Sequence, residues 1–152
     1  PVRILTTHLE YYSQYQRNIQ IDAIRDCHIG ACAMSQRQVL NEERGGTFEV
    51  FPRPQAALLC GDMNFPATAP ERERVLAPFA AGIPCFQDAW SVLHADRLHI
   101  STVGMHPVDF VDHPACFDFI FITDDLTKRL KSFSCDTMTQ ASDHQPIWVE
   151  FK

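Results

Sequence analysis

Four short polar clusters contain the residue types that hydrolytic chemistry requires, and each stands at the end of an apolar segment. The clusters are Thr7-His8, Gly61-Asp62-Met63-Asn64, Asp118 and Ser142-Asp143-His144. A carboxylate can take a proton from water, and an imidazole or an amide can donate a hydrogen bond to a developing oxyanion. If the strands that carry these clusters are neighbours in one sheet, all four clusters meet at the same rim. The sequence therefore predicts one common site.

Within the two larger clusters, the spacing assigns different tasks to the side chains. Asp62 and Asn64 are two residues apart, so an extended backbone would point both the same way. Asp62 would then hold a water molecule while Asn64 donates an N–H to an oxyanion, and Gly61 leaves room for a close backbone approach. Asp143 and His144 are adjacent and point in opposite directions, which suits a carboxylate that binds Mg²⁺ and an imidazolium that binds a phosphate oxygen.

Each cluster also has a simpler interpretation when it is taken alone. The Gly-Asp-Met-Asn stretch can be a turn after a buried strand, and the Ser-Asp-His triplet can be a cap followed by a turn. His8 can be an ordinary histidine at a strand end. Independent turns have no reason to occur in this order with these residues, and the combination therefore favours a catalytic site.

Four other histidines raise the alternative of a zinc site. They are His94, His99, His106 and His113. Their spacings match no HxxxH or HxH template, which disfavours zinc. Two of them lie in the loop over 102–116, which joins two predicted strands near the rim. We interpret this loop either as a determinant of substrate choice or as a plain connector.

The elements that must position these groups follow from the hydrophobic pattern. Strands are predicted over 2–9, 56–60, 117–123, 131–138 and 146–151, with an edge strand over 99–102. Helices are predicted over 14–29, 71–79 and 85–94, and a weak helix followed by a loop over 35–54. Strands alternate with helices early in the chain and follow one another late. This order predicts a single layered α/β domain with a mixed sheet.

Composition restricts the class of protein. The 152 residues are 45% hydrophobic and 21% charged, as is typical of a folded globular domain. A formal net charge of -6 disfavours the broad phosphate-binding surface of a non-specific nucleic-acid binder. Apolar runs well short of about 20 residues predict no membrane-spanning segment. Six cysteines in apparent core segments predict reduced, buried thiols, and hence a reducing, cytoplasmic compartment.

Four motifs together resemble the endonuclease/exonuclease/phosphatase superfamily, the DNase I-like metal-dependent phosphoesterases. The motifs are TTHL (6–9), GDMN (61–64), FDFIFI (117–122) and SDHQPIWVEF (142–151), in the order that the family has them, and DAWSVLH (88–94) adds a weaker likeness to bacterial members. The resemblance covers nearly the whole chain. It implies that residues 1–152 are the C-terminal part of one such domain, half of a four-layered α/β/β/α sandwich with a mixed, mostly antiparallel sheet and flanking helices.

The family's N-terminal half, with its asparagine motif and metal-binding glutamate, has no counterpart in these residues. We therefore expect a glutamate-bearing strand segment upstream of Pro1. The resemblance implies a single sheet whose inner apolar face lies bare. We expect the missing half or a second copy of the chain to cover that face, and we expect this chain alone to be weakly active or inactive.

The resemblance implies a Mg²⁺-dependent hydrolysis of phosphate esters, with Mn²⁺ as a substitute ion. Asp62 would orient and deprotonate the attacking water, and Asn64 would position that water and bond the phosphoryl oxygens. Asp143 would bind the divalent ion together with the missing glutamate. These roles make the chain a nuclease or a phosphatase.

The remaining matched residues imply the electrostatic part of the site. Protonated His144 would neutralise charge on the phosphate, Asp118 would hold His144 in the imidazolium form, and His8 would contact the phosphate from the other side. The acidic charge favours a small phosphodiester or phosphomonoester over duplex nucleic acid. A catalytically inactive half-domain that serves as an interaction module is the alternative, although a pure scaffold would need none of these residues.

Overall fold

Four strands form the central sheet of the computed structural model, which describes residues 1–36, 47, 53–95, 97–106 and 113–152. The strands are β1 (Arg3–His8), β2 (Ala57–Asp62), β3 (Phe86–Asp88) and β4 (Asp118–Thr123), in the spatial order β1-β2-β4-β3. β1 and β2 are parallel, whereas the β2–β4 and β3–β4 pairs are antiparallel. The predicted α/β fold with a mixed, mostly antiparallel sheet is confirmed.

The last two strands form a separate layer. β5 (Leu130–Cys135) and β6 (Ile147–Phe151) pair with each other as an antiparallel hairpin. Both edges of β4 are already occupied by β2 and β3, so the hairpin cannot extend the sheet there. Instead, Ile147 and Val149 pack with Ile120 on the face of β4. The expectation of a single sheet is therefore wrong, because these strands contribute a second layer.

Helices cover the opposite face of the central sheet. The helices α1 (Gln14–Ser35) and α2 (Pro70–Leu76) bury Ile21 and Val75 in one cluster with Leu59 of β2. Successive residues of a strand point to opposite sides of the sheet, so alternate residues of β2 and β4 serve the helical core and the hairpin core. The central sheet thus separates two apolar layers.

Helix α1 is longer than the predicted 14–29. It begins as predicted at the N-cap Ser13, whose hydroxyl accepts from the Gln16 backbone N–H at 3.2 Å. It continues to Ser35 because Ala31 and Cys32 are buried and extend the apolar face of the helix. Among the described helices, none is long and apolar enough to cross a membrane.

Two short predicted elements differ from the structure. The predicted helix over 85–94 begins instead with β3, and only α3 (Ala89–Leu93) is helical. Asp88 ends the strand and caps α3, because its carboxylate accepts from the Trp90 backbone N–H at 3.0 Å. The predicted edge strand over 99–102 is not a strand. Its neighbour Val103 makes isolated bridges to Ala115 and His144 instead. Most of the predicted helix and loop over 35–54 lies outside the described residues.

Candidate active site

The sheet register places three of the predicted site residues side by side. His8, the last residue of β1, is opposite Asp62, the last residue of β2. Asp62 is in turn opposite Asp118, the first residue of the antiparallel β4. The apolar runs that precede His8 and Asp62 end at the same edge because β1 and β2 are parallel. The common rim that the sequence predicts is therefore present for these three residues.

His144 completes a compact group around Asp62. The His8 Nε2 atom lies 3.3 Å from the Asp62 Oδ2 atom, and the His144 Nε2 atom lies 3.8 Å from the same oxygen. On its other side, the His144 ring donates from Nδ1 to the Asp118 Oδ2 atom at 2.8 Å. Asp62 thus faces two imidazoles, and one of them is held by a second carboxylate.

A buried threonine that the sequence analysis missed connects the backbone at Asp118 to the backbone next to His144. The Thr102 hydroxyl accepts from the backbone N–H groups of Phe117 and Asp118, each at 3.1 Å. The Thr102 carbonyl accepts from the Gln145 backbone N–H at 2.7 Å, directly after His144. Thr102 is fully buried. Its signal in the sequence was only a polar residue at the end of a predicted edge strand.

The turn after β2 differs from the extended backbone that we predicted. Asn64 has φ 51°, a left-handed conformation that asparagine tolerates better than most residues. Asn64 therefore reaches the rim through a turn, in which its backbone N–H donates to the Asp62 Oδ1 atom at 2.8 Å. Its side-chain nitrogen donates to the Leu9 carbonyl at 2.7 Å. The same-side argument from an extended strand is wrong, although Asp62 and Asn64 remain neighbours.

Gly61 is the residue that lets β1 and β2 approach at the site. Its φ is 136°, and a Cβ atom at this position would lie 1.9 Å from the Thr7 carbonyl oxygen. No side chain fits this contact, so the pairing that places His8 beside Asp62 depends on glycine. The expectation of a close backbone approach at Gly61 agrees with this geometry.

The environment shifts the pKa values of Asp62 and His144 upward. Burial raises the pKa of Asp62 and the nearby Asp118 charge adds to it, which together outweigh the Asn64 hydrogen bond and the two histidines. Burial lowers the pKa of His144, but the hydrogen bond and charge of Asp118, with Asp62 and Asp143, raise it overall. The site therefore combines a carboxylate of increased basicity with an imidazole that favours its protonated form.

Asp143 lies beside this group and not within it. Its carboxylate is exposed at the surface and accepts from the Ser142 hydroxyl at 3.2 Å. The ligand atoms of Asp62, Asp118 and His144 lie within 4.8 Å of one another. The rim therefore offers several carboxylate oxygens, the donors that a hard divalent cation prefers.

Comparison with solved structures identifies the fold. No protein-family model and no curated protein matches the sequence. The 3′ phosphatase NExo from Neisseria, solved with a product DNA hairpin, matches 99% of this chain with a TM-score of 0.63 and 16% identity. A mannosyl-6-phosphatase from Bacteroides thetaiotaomicron matches 98% with a TM-score of 0.59 and 16% identity.

An endonuclease/exonuclease/phosphatase family protein from Bacteroides thetaiotaomicron matches 96% of the chain with a TM-score of 0.58 and 15% identity. The chain has the endonuclease/exonuclease/phosphatase fold. It spans 61% of the length of the Neisseria structure, and 50% and 48% of the two Bacteroides structures. The chain thus corresponds to between about half and three-fifths of each of those proteins.

In this endonuclease/exonuclease/phosphatase fold, an open cleft lies beside the group of side chains around Asp62. Its volume is about 560 Å³, and Asp118, Ser142 and His144 line it together with the apolar side chains of Ile120 and Ile147. The cleft lies between the central sheet and the β5–β6 hairpin, so both layers contribute to it. It is large enough for a phosphate ester with an attached organic group.

Three of the four histidines that raised the zinc alternative make contacts outside this group. His99 donates to the buried Asp88 carboxylate at 2.6 Å, His106 donates to the Thr139 carbonyl at 2.7 Å, and His94 packs on the Trp90 ring. In the described part of the chain, these histidines form no cluster of metal-type ligands. The predicted loop over 102–116 lies partly outside the described residues.

Proposed function

We propose that this protein hydrolyses phosphate esters by in-line attack of a water molecule that Asp62 orients and deprotonates. The observation that carries the proposal is the contact of Asp62 with two histidines, one of which is hydrogen-bonded to Asp118. Burial moves the pKa of Asp62 upward, which makes this carboxylate a better base near neutral pH. The fold, which the Neisseria 3′ phosphatase shares, supports this assignment.

The two histidines and Asn64 supply the hydrogen bonds to the phosphoryl oxygens in this proposal. The raised pKa of His144 favours the imidazolium, whose Nε2–H is a charge-assisted donor to a phosphate oxygen. His8 approaches from the opposite side of Asp62. Asn64 donates one amide hydrogen to Leu9, and we assign its second amide hydrogen to the substrate. These donors stabilise charge as it develops in the transition state.

We also propose that a divalent cation, Mg²⁺ or Mn²⁺, takes part. Asp143, with its exposed carboxylate at the rim, would hold it, and one or two carboxylates together with substrate phosphate are a common Mg²⁺ environment. When bound, the ion supplies positive charge next to the phosphoryl oxygens. The carboxylates of Asp62 and Asp118 lie close together at the same rim, and carboxylate oxygens are the donors that such an ion prefers.

The substrate class that we propose is a small phosphodiester or phosphomonoester, or a nucleic acid with few contacted phosphates. The formal charge of -6 leaves little cationic surface for gripping a long polyanion. The names of the two phosphatases that share the fold point to different substrates, since one was solved with a DNA product and the other is a mannosyl-6-phosphatase.

An interaction module is the second candidate function, and one surface favours it. Ile4 of β1 is 68% exposed. It lies on the sheet face against which the β5–β6 hairpin packs, at a position that the hairpin leaves uncovered. Together with Val2, Leu58 and Phe151 it lines an apolar hollow of about 220 Å³. We propose that further chain or a second copy covers this face, because exposed apolar surface of this kind marks an interface. This proposal is compatible with catalysis at the opposite end of the strands.

Hydrolysis of bis(p-nitrophenyl) phosphate tests the enzymatic proposal. The protein, expressed from its complete reading frame, should release p-nitrophenol with Mg²⁺ or Mn²⁺ and lose this activity with a chelator. Asp62→Ala and His144→Ala should each lower kcat by a factor on the order of 100 or more. Undiminished turnover in both variants would refute the enzyme and leave the interaction module.

A further inference from the structure

An exposed aromatic segment directly follows the strand that carries His8. Tyr11 is 50% exposed and Tyr12 is 90% exposed, and their rings pack edge to face with centroids 4.9 Å apart. Tyr15, in the first turn of α1, is 75% exposed. We call Tyr11 and Tyr12 the tyrosine platform. When a planar ligand covers large aromatic side chains that are exposed to water, burial of their surface stabilises the complex.

The backbone beneath the tyrosine platform is held firmly. The Arg17 guanidinium donates to the Glu10 carbonyl at 3.1 Å and to the Tyr11 carbonyl at 2.8 Å. It also donates twice to the Glu71 Oε1 atom, at 3.2 and 2.9 Å. Glu71 is only 2% exposed, so this ion pair is anchored in the core. The Tyr12 backbone N–H donates to the Glu10 carboxylate at 3.0 Å. The rings therefore project from a fixed turn, which lowers the entropy cost of binding.

The tyrosine platform is close enough in the chain to the proposed catalytic group for one substrate molecule to contact both. Tyr12 is four residues beyond His8, so their Cα atoms are at most about 14 Å apart. The connecting residue Leu9 is hydrogen-bonded to the turn after β2. Its N–H donates to the Asp62 carbonyl at 3.0 Å, and its carbonyl accepts from the Asn64 side chain at 2.7 Å. One or two nucleotides span this separation. A phosphate at Asp62 and a base at Tyr12 can thus belong to one ligand.

We propose that the tyrosine platform stacks an unpaired nucleobase of the substrate, which makes a short nucleotide-containing phosphodiester the substrate class. The inference rests on the proposed phosphoesterase function and narrows it. Stacking on aromatic rings accepts every base, because each base has a π-face. It also supplies affinity without a basic surface, in keeping with the net charge of -6.

Two chromogenic esters with the same leaving group test this proposal. One is the p-nitrophenyl ester of thymidine 5′-monophosphate, and the other is methyl p-nitrophenyl phosphate, which lacks the nucleoside. In the wild-type protein, kcat/KM should be higher for the thymidine ester. Tyr12→Ala should lower the ratio of the two kcat/KM values by a factor on the order of 10, whereas Tyr12→Phe should preserve it. Leu98→Ala, at a residue 92% exposed, is the matched surface control.

The outcomes separate this inference from the proposed function. An unchanged ratio in Tyr12→Ala, or an equal loss on both esters, overturns base stacking while phosphoesterase activity stands. If the wild-type protein hydrolyses neither ester, the proposed function fails, and binding of thymidine 5′-monophosphate followed by NMR becomes the test. Shifts of the Tyr11 and Tyr12 ring signals in the wild-type protein, with the Tyr11 shifts lost in Tyr12→Ala, would support the platform. No shift of these signals at saturating nucleotide would overturn it.

Discussion

The imidazole of His144 donates from Nδ1 to the Asp118 Oδ2 atom across 2.8 Å. This contact joins the segment before β6 to the first residue of β4, and thus links the hairpin layer to the central sheet. Because Nδ1 is engaged, Nε2 is the nitrogen that faces Asp62, at 3.8 Å. The contact therefore fixes both the orientation of His144 and the ring atom that is available to a substrate.

Asp118→Asn should lower the pKa of His144. The variant keeps a side chain of the same shape but removes the negative charge that favours the imidazolium. The alkaline limb of the pH–activity profile should move to lower pH, because the protonated form of His144 is then lost earlier as the pH rises. NMR titration of the His144 ring measures the pKa directly. An unchanged titration midpoint would show that Asp118 does not hold the charge on His144.

Thr102→Val should destabilise the protein and weaken the proposed catalysis. It removes the oxygen that accepts from the Phe117 and Asp118 N–H groups, and each buried unsatisfied donor costs about 1–3 kcal/mol. Loss of this hydrogen bond should also displace Asp118 and thereby lower kcat, because small displacements of positioned groups are costly in rate. Thr102→Ser keeps the hydroxyl and should retain most of both properties. Urea denaturation with parallel kcat measurements checks this, and equal behaviour of the two variants would contradict it.

Gly61→Ala should prevent the close pairing of β1 and β2. The added methyl group would overlap the Thr7 carbonyl, and relief of this overlap together with the backbone strain should cost on the order of 3 kcal/mol. Gly30→Ala is the matched control, because a Cβ there meets no atom within 4 Å and α1 should gain about 0.5–1 kcal/mol. Thermal denaturation of both variants should shift in opposite directions. A Gly61→Ala protein of wild-type stability would contradict the geometry.

Truncation of Asp88, the buried partner of Arg72, should cost far more stability than truncation of Asp22, the exposed partner of Arg74. Asp88 is 3% exposed and accepts from both Arg72 and His99. Asp88→Ala leaves the guanidinium without its buried partner, at a cost of about 3–5 kcal/mol. Asp22→Ala breaks a surface pair, which is worth little. Urea denaturation of the two variants provides the comparison, and equal losses of stability would contradict it.

Asp88 also predicts a loss of stability in acid. Burial raises its pKa, but the bonds and charges of His99 and Arg72 outweigh burial, and the net pKa is below its usual value. The group therefore contributes stability that is complete above the unfolded-state pKa of about 3.9 and is lost as the pH falls through the lower folded-state value. Asp88→Asn should flatten this part of the stability curve.

The sequence predicted the elements that carry the strongest apolar patterns. The run before Asp62 and the aromatic run after Asp118 identified two strands, and their polar ends identified the rim. The three residues of β3 were missed because so short a strand has no period that differs from a helix. The separate hairpin layer was not predicted, because strand pairing depends on residues far apart in the sequence and on which strand edges are free. Here both edges of β4 are occupied by β2 and β3.

The candidate site was predictable by residue type and less so by geometry. His8, Asp62, Asp118 and His144 were identified from their positions at strand ends, and the structure brings them together. The turn that positions Asn64 depends on the left-handed backbone conformation of this residue after the strand. The alternating pattern of a strand does not predict such a conformation. Thr102 acts through backbone atoms that are distant in the sequence, so local spacing contains no trace of it.

Hydrolysis of bis(p-nitrophenyl) phosphate in ¹⁸O-labelled water, with Mg²⁺ and the complete protein, tests most directly whether a water activated by Asp62 attacks phosphorus. The label should appear in p-nitrophenyl phosphate and not in p-nitrophenol. Asp62→Asn should lower the rate by a factor on the order of 100 or more, while Asp22→Asn, at a remote surface carboxylate, should not. An Asp62→Asn protein that incorporates the label at the wild-type rate would contradict the account.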